Sequence, residues 1–567
     1  MEKRWVYANG DDVAKVTELS AALNINRALA GILVQRGIHS FDEAKYFFRP
    51  SLDDLHDPFL MKDMDRAVDR LTDAIANEEK ILIYGDYDVD GTTAVSLVYG
   101  FLRRYYDRLD FYIPDRYKEG YGISETGIRW AHDNGFSLVI ALDCGIKAID
   151  RMNQANELGV DVIICDHHLP GENLPSAYAV LDPKRADCDY PFKELSGCGV
   201  GFKLMQGFCQ QQTIDHIELF GFLDLLAVSI ASDIVPIVGE NRIMAYYGLK
   251  KLNDQPLPGL KAIMDNSGYR GELDISAVVF GIGPRINAMG RISHARGSIH
   301  LLLSQTEEEA KGFALKVEGK NVERRNYDAS ITKEALEMIE NNEGNDTARS
   351  TVLYNKDWHK GVIGIVASRC IEKYYRPTII LIESNDKATG SARSVLGFNV
   401  YEAIAECAEL LDQFGGHQYA AGLTMDIKNI AAFQEKFERV VSERITDDQL
   451  VPQIEINQSI DFDMINQKFF NILKQMSPFG PQNMQPVFAT HKVVATTETR
   501  VLKGEHLKLF LKQQNSNKVV EAIGFGLAAY YDMIAAGMSF SVAYTIEENN
   551  YMDRVSLQLN VKDIKFD

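Results

Sequence analysis

Acidic residues and histidines gather at four places along the chain, and three of these places directly follow short apolar runs. After KILIYG, LVIAL and VDVIIC come, in that order, the residues Asp86, Asp88, Asp90, then Asp143, then Asp166, His167 and His168. Carboxylates and imidazoles brought together repel one another or stay unpaired unless cations neutralise them. The pattern predicts a metal site, and the simplest interpretation is the site of a metal-dependent phosphoesterase.

The spacing in GDYDVDGTT places aspartates at alternate positions, whose side chains point the same way when the segment is extended. Two or three of these carboxylates can then converge on one or two cations. The Gly-x5-Glu continuation of a calcium loop is missing. A mixed Asp and His set favours Mn²⁺, Fe²⁺ or Co²⁺. Two ions about 3.5–4 Å apart would activate a water for in-line attack, so no protein nucleophile is needed.

The elements that must position these residues are apolar runs typical of buried strands in a parallel sheet. ILIYG, LDFYIP, SLVIALD, DVIICD and AYAVLD alternate with helix-like segments, which predicts a doubly wound sheet. Ligands of such sheets bind beyond the carboxyl ends of the strands. The fourth acidic position, Asp233, closes FLDLLAVSIASD, which is either a buried helix or a fifth strand.

A chain of 567 residues is too long for one core. We predict a multi-domain α/β protein with five parts: a helical N-terminal region at 1–78, a doubly wound parallel-sheet domain at 79–304, a connecting helix at 305–346, a second α/β domain at 347–450, and a C-terminal β-barrel at 451–567. Period-two alternation in LKLFLK and SLQLNV supports the barrel, for which the oligonucleotide-binding fold is the commonest candidate.

Composition narrows the class of protein. The longest apolar runs fall short of the roughly 20 residues of a membrane span, and no apolar signal core follows the N-terminus. Seven cysteines without a CxxC pair predict reduced thiols in the cytoplasm. The net charge of −20 argues against sequence-independent coating of a duplex but leaves room for a narrow basic channel.

Two further segments could contact phosphates. Arg285, Asn287 and Arg291 lie in the Arg- and Gly-rich segment GPRINAMGRI, which we interpret as a loop suited to phosphate contacts or as charges paired with acidic neighbours. Gly415, Gly416 and His417 precede an Ala-rich segment that we predict to be helical, and a helix N-terminus attracts phosphate.

In their order and spacing, GDYDVDG, LDCG, DHH and SDIVP resemble the DHH phosphoesterase superfamily and, within it, the RecJ family of single-stranded-DNA-specific exonucleases. LAGILVQRGI, FFRPSLDDLHDP, GPRINAMGRI, GGHQYAAG and MSPFGPQNMQPVF extend this resemblance over nearly the whole chain. It implies that residues 347–450 form the DHHA1 domain of that family.

The resemblance also implies roles for individual residues. The metal-ligand positions match Asp88, Asp90, Asp143, His167 and Asp233, with Asp86 as a further ligand or a neighbour of the ligands. His168 matches the histidine that faces the scissile phosphate, and Asp166 belongs to the same catalytic motif. Ser391, Arg393 and His417, together with Gly415 and Gly416, match the substrate-contact segments. Tyr84 stands where smaller members of the superfamily carry a histidine.

The activity implied is 5′-to-3′ hydrolysis of single-stranded DNA to mononucleotides in DNA repair and recombination. Two divalent ions, Mn²⁺ preferred or Mg²⁺, would serve it. The implied partners are a single-strand-binding protein and a RecQ-type helicase, and the protein is expected to be a monomer without membrane attachment. Two alternatives stay open. One is a small-substrate phosphodiesterase of the nanoRNase or cyclic-dinucleotide type, against which the extra N-terminal and barrel regions argue. The other is a non-catalytic single-strand-binding scaffold, against which the complete ligand set argues.

Overall fold

The structure, a computed structural model, describes residues 2–8, 12–342, 344–514, 516–551 and 554–566, without the side chains of 550, 551 and 554. The chain forms two compact units. The parallel-sheet unit comprises Arg49–Arg325 and Pro478–Met484, and the barrel unit comprises Met1–Phe48, Asn326–Ser477 and Gln485–Asp567.

The N-terminal region is helical except at its start. Its helices are α1 (Val13–Leu23), α2 (Arg27–Gln35), α3 (Phe41–Phe48) and α4 (Met64–Ala76). The prediction of a helical region from residue 1 is wrong at Arg4–Tyr7, which form strand β1 and pair in parallel with Gln453–Ile456. A short strand whose partner lies so far along the chain leaves no local pattern in the sequence.

The predicted doubly wound sheet is confirmed. Its strands are β2 (Lys80–Gly85), β3 (Leu109–Tyr112), β4 (Phe136–Leu142), β5 (Asp161–Cys165) and β6 (Ala179–Leu181). Neighbours in the order β3-β2-β4-β5-β6 all pair in parallel. The connecting and covering helices are α5 (Val89–Leu102), α6 (Glu125–Asp133), α7 (Ile149–Glu157) and α8 (Gly197–Gln212). The strand order reverses between β2 and β4, where such sheets have their binding crevice.

The rest of the parallel-sheet unit is helical. It contains α9 (His216–Phe220), α10 (Leu223–Ser232), α11 (Gly239–Asp254), α12 (Pro258–Ser267), α13 (Ile275–Ala277), α14 (Gly283–Ile292), α15 (Arg296–Leu302) and the start of α16 (Glu307–Glu340). Of the two alternatives for the segment before Asp233, the buried helix is correct. The interpretation of GPRINAMGRI as a loop is wrong, because it forms α14. Its glycines serve close packing: a Cβ at Gly290 would lie 2.8 Å from the Tyr87 carbonyl oxygen.

The second α/β domain has a mixed sheet. Its elements are β7 (Thr351–Tyr354), α17 (Ile363–Lys373), β8 (Thr378–Ser384), β9 (Lys387–Arg393), α18 (Val400–Ala405), β10 (Gln413–His417), β11 (Ala420–Asp426) and α19 (Ile430–Arg444). The order is β10-β11-β9-β8-β7, parallel only between β7 and β8. The helix predicted after His417 is wrong, because this segment is the hairpin β10–β11. Pairing of β11 with β9 overrides the helix propensity of its two alanines.

The C-terminal β-barrel is confirmed. Its elements are β12 (Gln453–Ile456), β13 (Gln458–Ser459), α20 (Gln467–Gln475), β14 (Phe488–Ala495), β15 (Arg500–Leu502), β16 (His506–Gln513), β17 (Val519–Gly524), α21 (Tyr531–Ala535), β18 (Phe540–Tyr551) and β19 (Arg554–Phe566). The ring β14-β18-β19-β17-β16 is closed by pairing of β14 with β16. Within the described part of the chain, no helix is both long and apolar enough to traverse a bilayer.

Candidate metal centre and active site

The acidic residues reach one place because the strands that precede them end there. Asp86 and Asp88 follow β2, Asp143 follows β4, and His167 follows β5. Asp143 adopts a left-handed backbone conformation with φ of 59°, which turns the chain sharply at the end of its strand. A Cβ at Gly197 would lie 2.5 Å from the Cβ of Asp143, so only glycine fits beside this turn.

His167 is the meeting point of the cluster. Its Nε2 lies 3.2 Å from Oδ1 of Asp143, 3.5 Å from Oδ2 of Asp233 and 3.7 Å from Oδ2 of Asp90. One ligand atom from each of Asp90, His167 and Asp233 falls within 4.8 Å of the others, and the same holds for Asp143, His167 and His168. Two overlapping three-residue sets therefore share His167. Asp233 caps the C-terminal end of α10, as the helical alternative required.

Asp90 is fixed by donors that sequence reasoning missed. Its Oδ2 accepts a hydrogen bond of 2.6 Å from the backbone N–H of Gly197, and its Oδ1 accepts one of 2.9 Å from that of Cys198. The hydroxyl of Ser229 donates to Oδ1 at 2.7 Å and lies 2.7 Å from the hydroxyl of Ser196. The N-terminus of α8 thus holds a buried carboxylate in one orientation. The motif SGCGVG at 196–201 carries this information only once its position beside β2 is known.

Asp86 and His167 lack such donors. Asp86 is fully buried, and among the described residues neither of its carboxylate oxygens makes a well-formed hydrogen bond, although the N–H groups of Tyr87 and Gly122 lie near it. Neither ring nitrogen of His167 makes a hydrogen bond among the described residues. Buried polar atoms are nearly always partnered. A cation is one partner that could satisfy such atoms, and His167 belongs to both three-residue sets that could hold one.

The electrostatics point the same way. Burial raises the pKa of the Asp143 carboxyl well above its ordinary value, and the charges of Asp90 and Asp88 add to this effect. Burial and the neighbouring Asp90 likewise raise the pKa of Asp233. Burial also raises the pKa of Asp88, which caps α5 by accepting a 3.0 Å hydrogen bond from the Gly91 N–H. A divalent ion would reverse this penalty, because it favours the charged form of each carboxylate. The residues therefore fit a metal site.

Asp166 and His168 form a hydrogen-bonded pair beside the cluster. Oδ2 of Asp166 accepts a hydrogen bond from the Ile146 N–H at 2.9 Å, and Oδ1 accepts from the N–H groups of His167 and His168. Oδ1 also lies 2.7 Å from Nδ1 of His168. Despite its burial, these partners lower the pKa of Asp166 to about 2. Burial alone would lower the pKa of His168, but the hydrogen bond to Asp166 and the charge of that carboxylate raise the pKa above its ordinary value.

Two tyrosines near the centre have different roles. Tyr84 is completely buried and donates from its hydroxyl to the Gly122 carbonyl at 3.1 Å, so it supports the core of the sheet. Tyr121 was missed by sequence reasoning. This residue is 56% exposed, and its hydroxyl lies 3.3 Å from Nε2 of His168. The Nε2 atom of His168 and the Tyr121 hydroxyl therefore lie next to each other at the surface of the centre.

The substrate candidates in GPRINAMGRI lie on α14. Arg285 is buried, pairs with Glu318 at 2.6 Å from its Nε, and donates to the Gly281 carbonyl oxygen. Of the two interpretations of this segment, the one in which its charges pair with acidic neighbours is correct for Arg285. Asn287 and Arg291 are half-buried, and the carbonyl oxygen of Arg291 accepts a hydrogen bond from the Tyr117 hydroxyl.

The candidates of the second α/β domain lie on β9 and β10, which flank β11 in the sheet, and we call them the Ser391–His417 surface: Ser391, Arg393, Gly415, Gly416 and His417. Nη1 of Arg393 donates to the Ser391 hydroxyl at 3.0 Å. A Cβ at Gly364, near the N-terminus of α17, would lie 2.6 Å from Nη2 of Arg393. Partial burial and the charge of Arg393 lower the pKa of His417. The residues from Gly415 to His417 are exposed at the hairpin.

Three stretches match known families. Residues 80–230 match the DHH family, N-terminal domain, residues 347–443 match the DHHA1 domain, and residues 456–563 match the RecJ OB domain. These three stretches coincide with the domains of the parallel sheet, the mixed sheet and the barrel described above.

Whole proteins and structures agree with these domains. The single-stranded-DNA-specific exonuclease RecJ of Bacillus subtilis (strain 168) is 36% identical over 564 residues, covering 99% of this chain and 70% of that protein. The protein of the same name from Escherichia coli (strain K12) is 29% identical over 520 residues, or 88% and 90% of the two chains. A crystal structure of RecJ in complex with Mn²⁺ from Thermus thermophilus matches with a TM-score of 0.85 at 25% identity, covering 99% of this chain and 79% of that one. A further structure of that protein is in complex with Mg²⁺. The 36% identity over nearly the whole chain shows that the chain belongs to the RecJ family.

Proposed function

We propose that this protein is a metal-dependent exonuclease specific for single-stranded DNA, which works from the 5′ end and releases mononucleotides. One observation carries the proposal: two clusters of acidic and histidine side chains that could hold a metal ion share His167, in a chain whose similarity to a single-stranded-DNA-specific exonuclease runs over 99% of its length. A decayed, purely structural centre would have no reason to retain buried carboxylates that repel one another.

The ions would be held by Asp88, Asp90, Asp143, His167 and Asp233, with Asp86 beside them. Bound there, Mn²⁺ or Mg²⁺ supplies Lewis-acid charge and a water activated for attack at phosphorus. The hydrogen bonds from Gly197, Cys198 and Ser229 orient the carboxylate of Asp90 before any ion arrives. Asp143 has no freedom to move away, because its turn is packed against Gly197.

His168 is the group that meets the substrate. Asp166 holds its Nδ1 side and favours the protonated ring, so that its Nε2 edge can donate to a phosphate oxygen. The neighbouring Tyr121 hydroxyl can share that contact. Asp166 therefore acts through His168 and is a positioning residue.

The Ser391–His417 surface is proposed to bind the sugar–phosphate backbone of the strand. A hydroxyl, a guanidinium and an imidazole beside exposed glycines suit phosphate contacts, which position a nucleic acid without reading its sequence. Asn287 and Arg291 are proposed as weaker contributors. Arg285 is proposed to contribute only through α14, because Glu318 already engages its guanidinium.

The cellular setting is also part of the proposal. Seven buried cysteines without disulfides fit a reducing compartment, and we place the protein in the cytoplasm as a monomer that acts in DNA repair and recombination. A single-strand-binding protein and a RecQ-type helicase would supply its substrate.

The test is digestion of a long single-stranded DNA labelled at either end, in Mn²⁺, with blunt duplex, a dinucleotide and the Asp143→Ala protein in parallel. Early release of mononucleotide from the 5′ label, little cutting of duplex and no activity of the variant are expected. Hydrolysis of the dinucleotide alone would make the protein a small-substrate phosphodiesterase. Binding of DNA without cleavage under any cation would make it a scaffold.

A further inference from the structure

The segment Pro478–Met484, which we call the strap, packs within the parallel-sheet unit although the chain on both sides of it belongs to the barrel unit. Its sequence PFGPQNM lies inside the motif MSPFGPQNMQPVF, which contributes no candidate ligand to the metal centre. The strap has a fixed shape. Gly480 and Asn483 exchange two backbone hydrogen bonds of 3.0 and 2.8 Å, and Nδ2 of the buried Asn483 donates to the Pro478 carbonyl at 2.7 Å.

The strap contacts the turn at 233–238, which joins α10 to α11 and begins with the ligand Asp233. The N–H of Ile237 donates to the Pro481 carbonyl oxygen at 2.8 Å, and the Ile237 side chain is completely buried. A Cβ at Gly480 would lie 2.5 Å from Cγ1 of Ile237, so the strap and the turn touch with no space for a side chain.

This turn needs external support because its backbone is strained. Ile234, the residue directly after Asp233, has φ of 60°, a conformation that β-branched residues rarely adopt. The residue is 65% exposed, so burial of its side chain does little to hold it in place. Strained residues persist only where the surroundings over-determine them.

Two anchors supply that support. Nδ2 of Asn241 donates to the Pro236 carbonyl at 3.1 Å from the side of α11. The strap holds the neighbouring Ile237, and Nη1 of Arg242 donates to the Pro478 carbonyl at 3.4 Å. With both anchors in place, Oδ2 of Asp233 stays 3.5 Å from Nε2 of His167.

We propose that the strap is a positioning element of the metal centre, which fixes the strained turn so that Asp233 is held ready for its ion. Gly480 and Asn483 are its positioning residues. The inference deepens the proposed function, since it rests on the same metal site, and it assigns part of the metal affinity to a segment far beyond Asp233 in the sequence.

The test measures Mn²⁺ binding by full-length protein, from the free Mn²⁺ signal in electron paramagnetic resonance, for Gly480→Ala and Asn483→Ala. Each substitution should weaken binding by about ten- to hundredfold, the usual loss when a group supporting a ligand is removed. Gly297→Ala is the matched control. Its Cβ would lie 2.4 Å from Cε of Met289, a similar crowding by one side-chain atom in the same unit that does not involve the turn. Thermal unfolding without metal is measured for all three variants.

Weaker Mn²⁺ binding by both strap variants, with the control unchanged at comparable thermal stability, is the expected result. Wild-type affinity in Gly480→Ala and Asn483→Ala would overturn the inference, and so would a loss that the control shares in proportion to its stability. Failure of the proposed function looks different. The wild-type protein would bind Mn²⁺ and leave single-stranded DNA intact, while the effect of the strap on Mn²⁺ affinity would persist.

Discussion

The metal centre and the Ser391–His417 surface are both polar, but they are assembled in opposite ways. The first gathers carboxylates, of which Asp86, Asp90 and Asp143 are almost completely buried, and fixes Asp90 with backbone donors. The second displays Gly415, Gly416 and His417 on an exposed hairpin of a mixed sheet. Burial of like charges makes the first region unstable without cations and demanding in geometry. Exposure makes the contacts of the second individually weak and tolerant of change.

The sharpest way to break this comparison is Asp143→Ala. Loss of a ligand removes several kcal/mol of transition-state stabilisation, so hydrolysis of single-stranded DNA should fall by at least about a thousandfold. Asp143→Asn, which keeps a side chain that tolerates the left-handed conformation, should unfold at a higher temperature than the wild type when both are metal-free, because a buried carboxylate with a raised pKa no longer opposes folding. End-labelled digestion and calorimetry measure the two effects. A variant that is less stable without metal would contradict the charge argument.

A buried carboxylate outside the metal cluster tests the cost of burial. Asp182 follows β6, is fully buried, and has no hydrogen-bond partner at Oδ2 within the described residues. Burial raises its pKa to about 7. Since the ordinary value is about 3.9, the folded state binds the extra proton between these limits, and stability should fall as the pH rises from about 4 to about 7.

The loss should be at most about 4 kcal/mol, at about 1.4 kcal/mol per pKa unit. Asp182→Asn should flatten this part of the profile, as measured by denaturant unfolding of the metal-free protein at about pH 5 and about pH 8. An unchanged slope in the variant would show that Asp182 titrates normally.

Asp166→Asn separates ligand geometry from proton placement. The variant keeps the metal ligands but loses the carboxylate that raises the pKa of His168. The rate should fall by about a hundredfold, in the range of general acid–base effects, while Mn²⁺ affinity stays close to that of the wild type. The pKa of His168 should drop, so the protonated ring would be lost at a lower pH and the alkaline limb of the rate profile would move down. Equal losses of rate and Mn²⁺ affinity would make Asp166 a part of the ligand set.

Ser229→Ala tests whether the fixed orientation of Asp90 matters. Removal of the hydroxyl takes away a side-chain donor to Asp90 and leaves the two backbone donors, so Mn²⁺ affinity should fall by about tenfold. Ser229→Thr keeps the hydroxyl and should restore most of the binding, which titration calorimetry can follow. Failure of threonine to restore affinity while alanine and threonine unfold alike would assign the effect to packing.

The smallest effect is expected on the exposed surface. His417→Ala should raise the KM for single-stranded DNA severalfold, since one phosphate hydrogen bond contributes about 1 kcal/mol, and should leave Mn²⁺ affinity unchanged. Steady-state kinetics at two salt concentrations give this comparison. A large fall in kcat instead would place His417 among the catalytic groups and remove the contrast between the two regions.

The sequence predicted the site best for residues that directly follow a strand, because the strand determines their position. Apolar runs predict β2, β4 and β5, and a parallel sheet then brings Asp88, Asp143 and His167 to one edge. Prediction failed where long-range contacts decide. The pairing of β11 with β9 turned an Ala-rich segment into a strand, and the Arg- and Gly-rich segment is a helix whose Gly290 packs closely against the Tyr87 carbonyl. The backbone donors to Asp90 come from α8, far along the chain, so no spacing could reveal them.

The alternation of the two units along the chain has a consequence for synthesis on the ribosome. Residues 49–325 emerge in one stretch, but the strap that completes their unit follows only at 478–484. At about 5–20 residues per second, this delay is roughly 8–30 s. The delay between synthesis of strand β1 and synthesis of its partner, Gln453–Ile456, is longer still. If the strap supports Asp233 as proposed, the metal centre gains this support only after most of the chain has been made, which would limit metal-dependent activity of the unfinished protein.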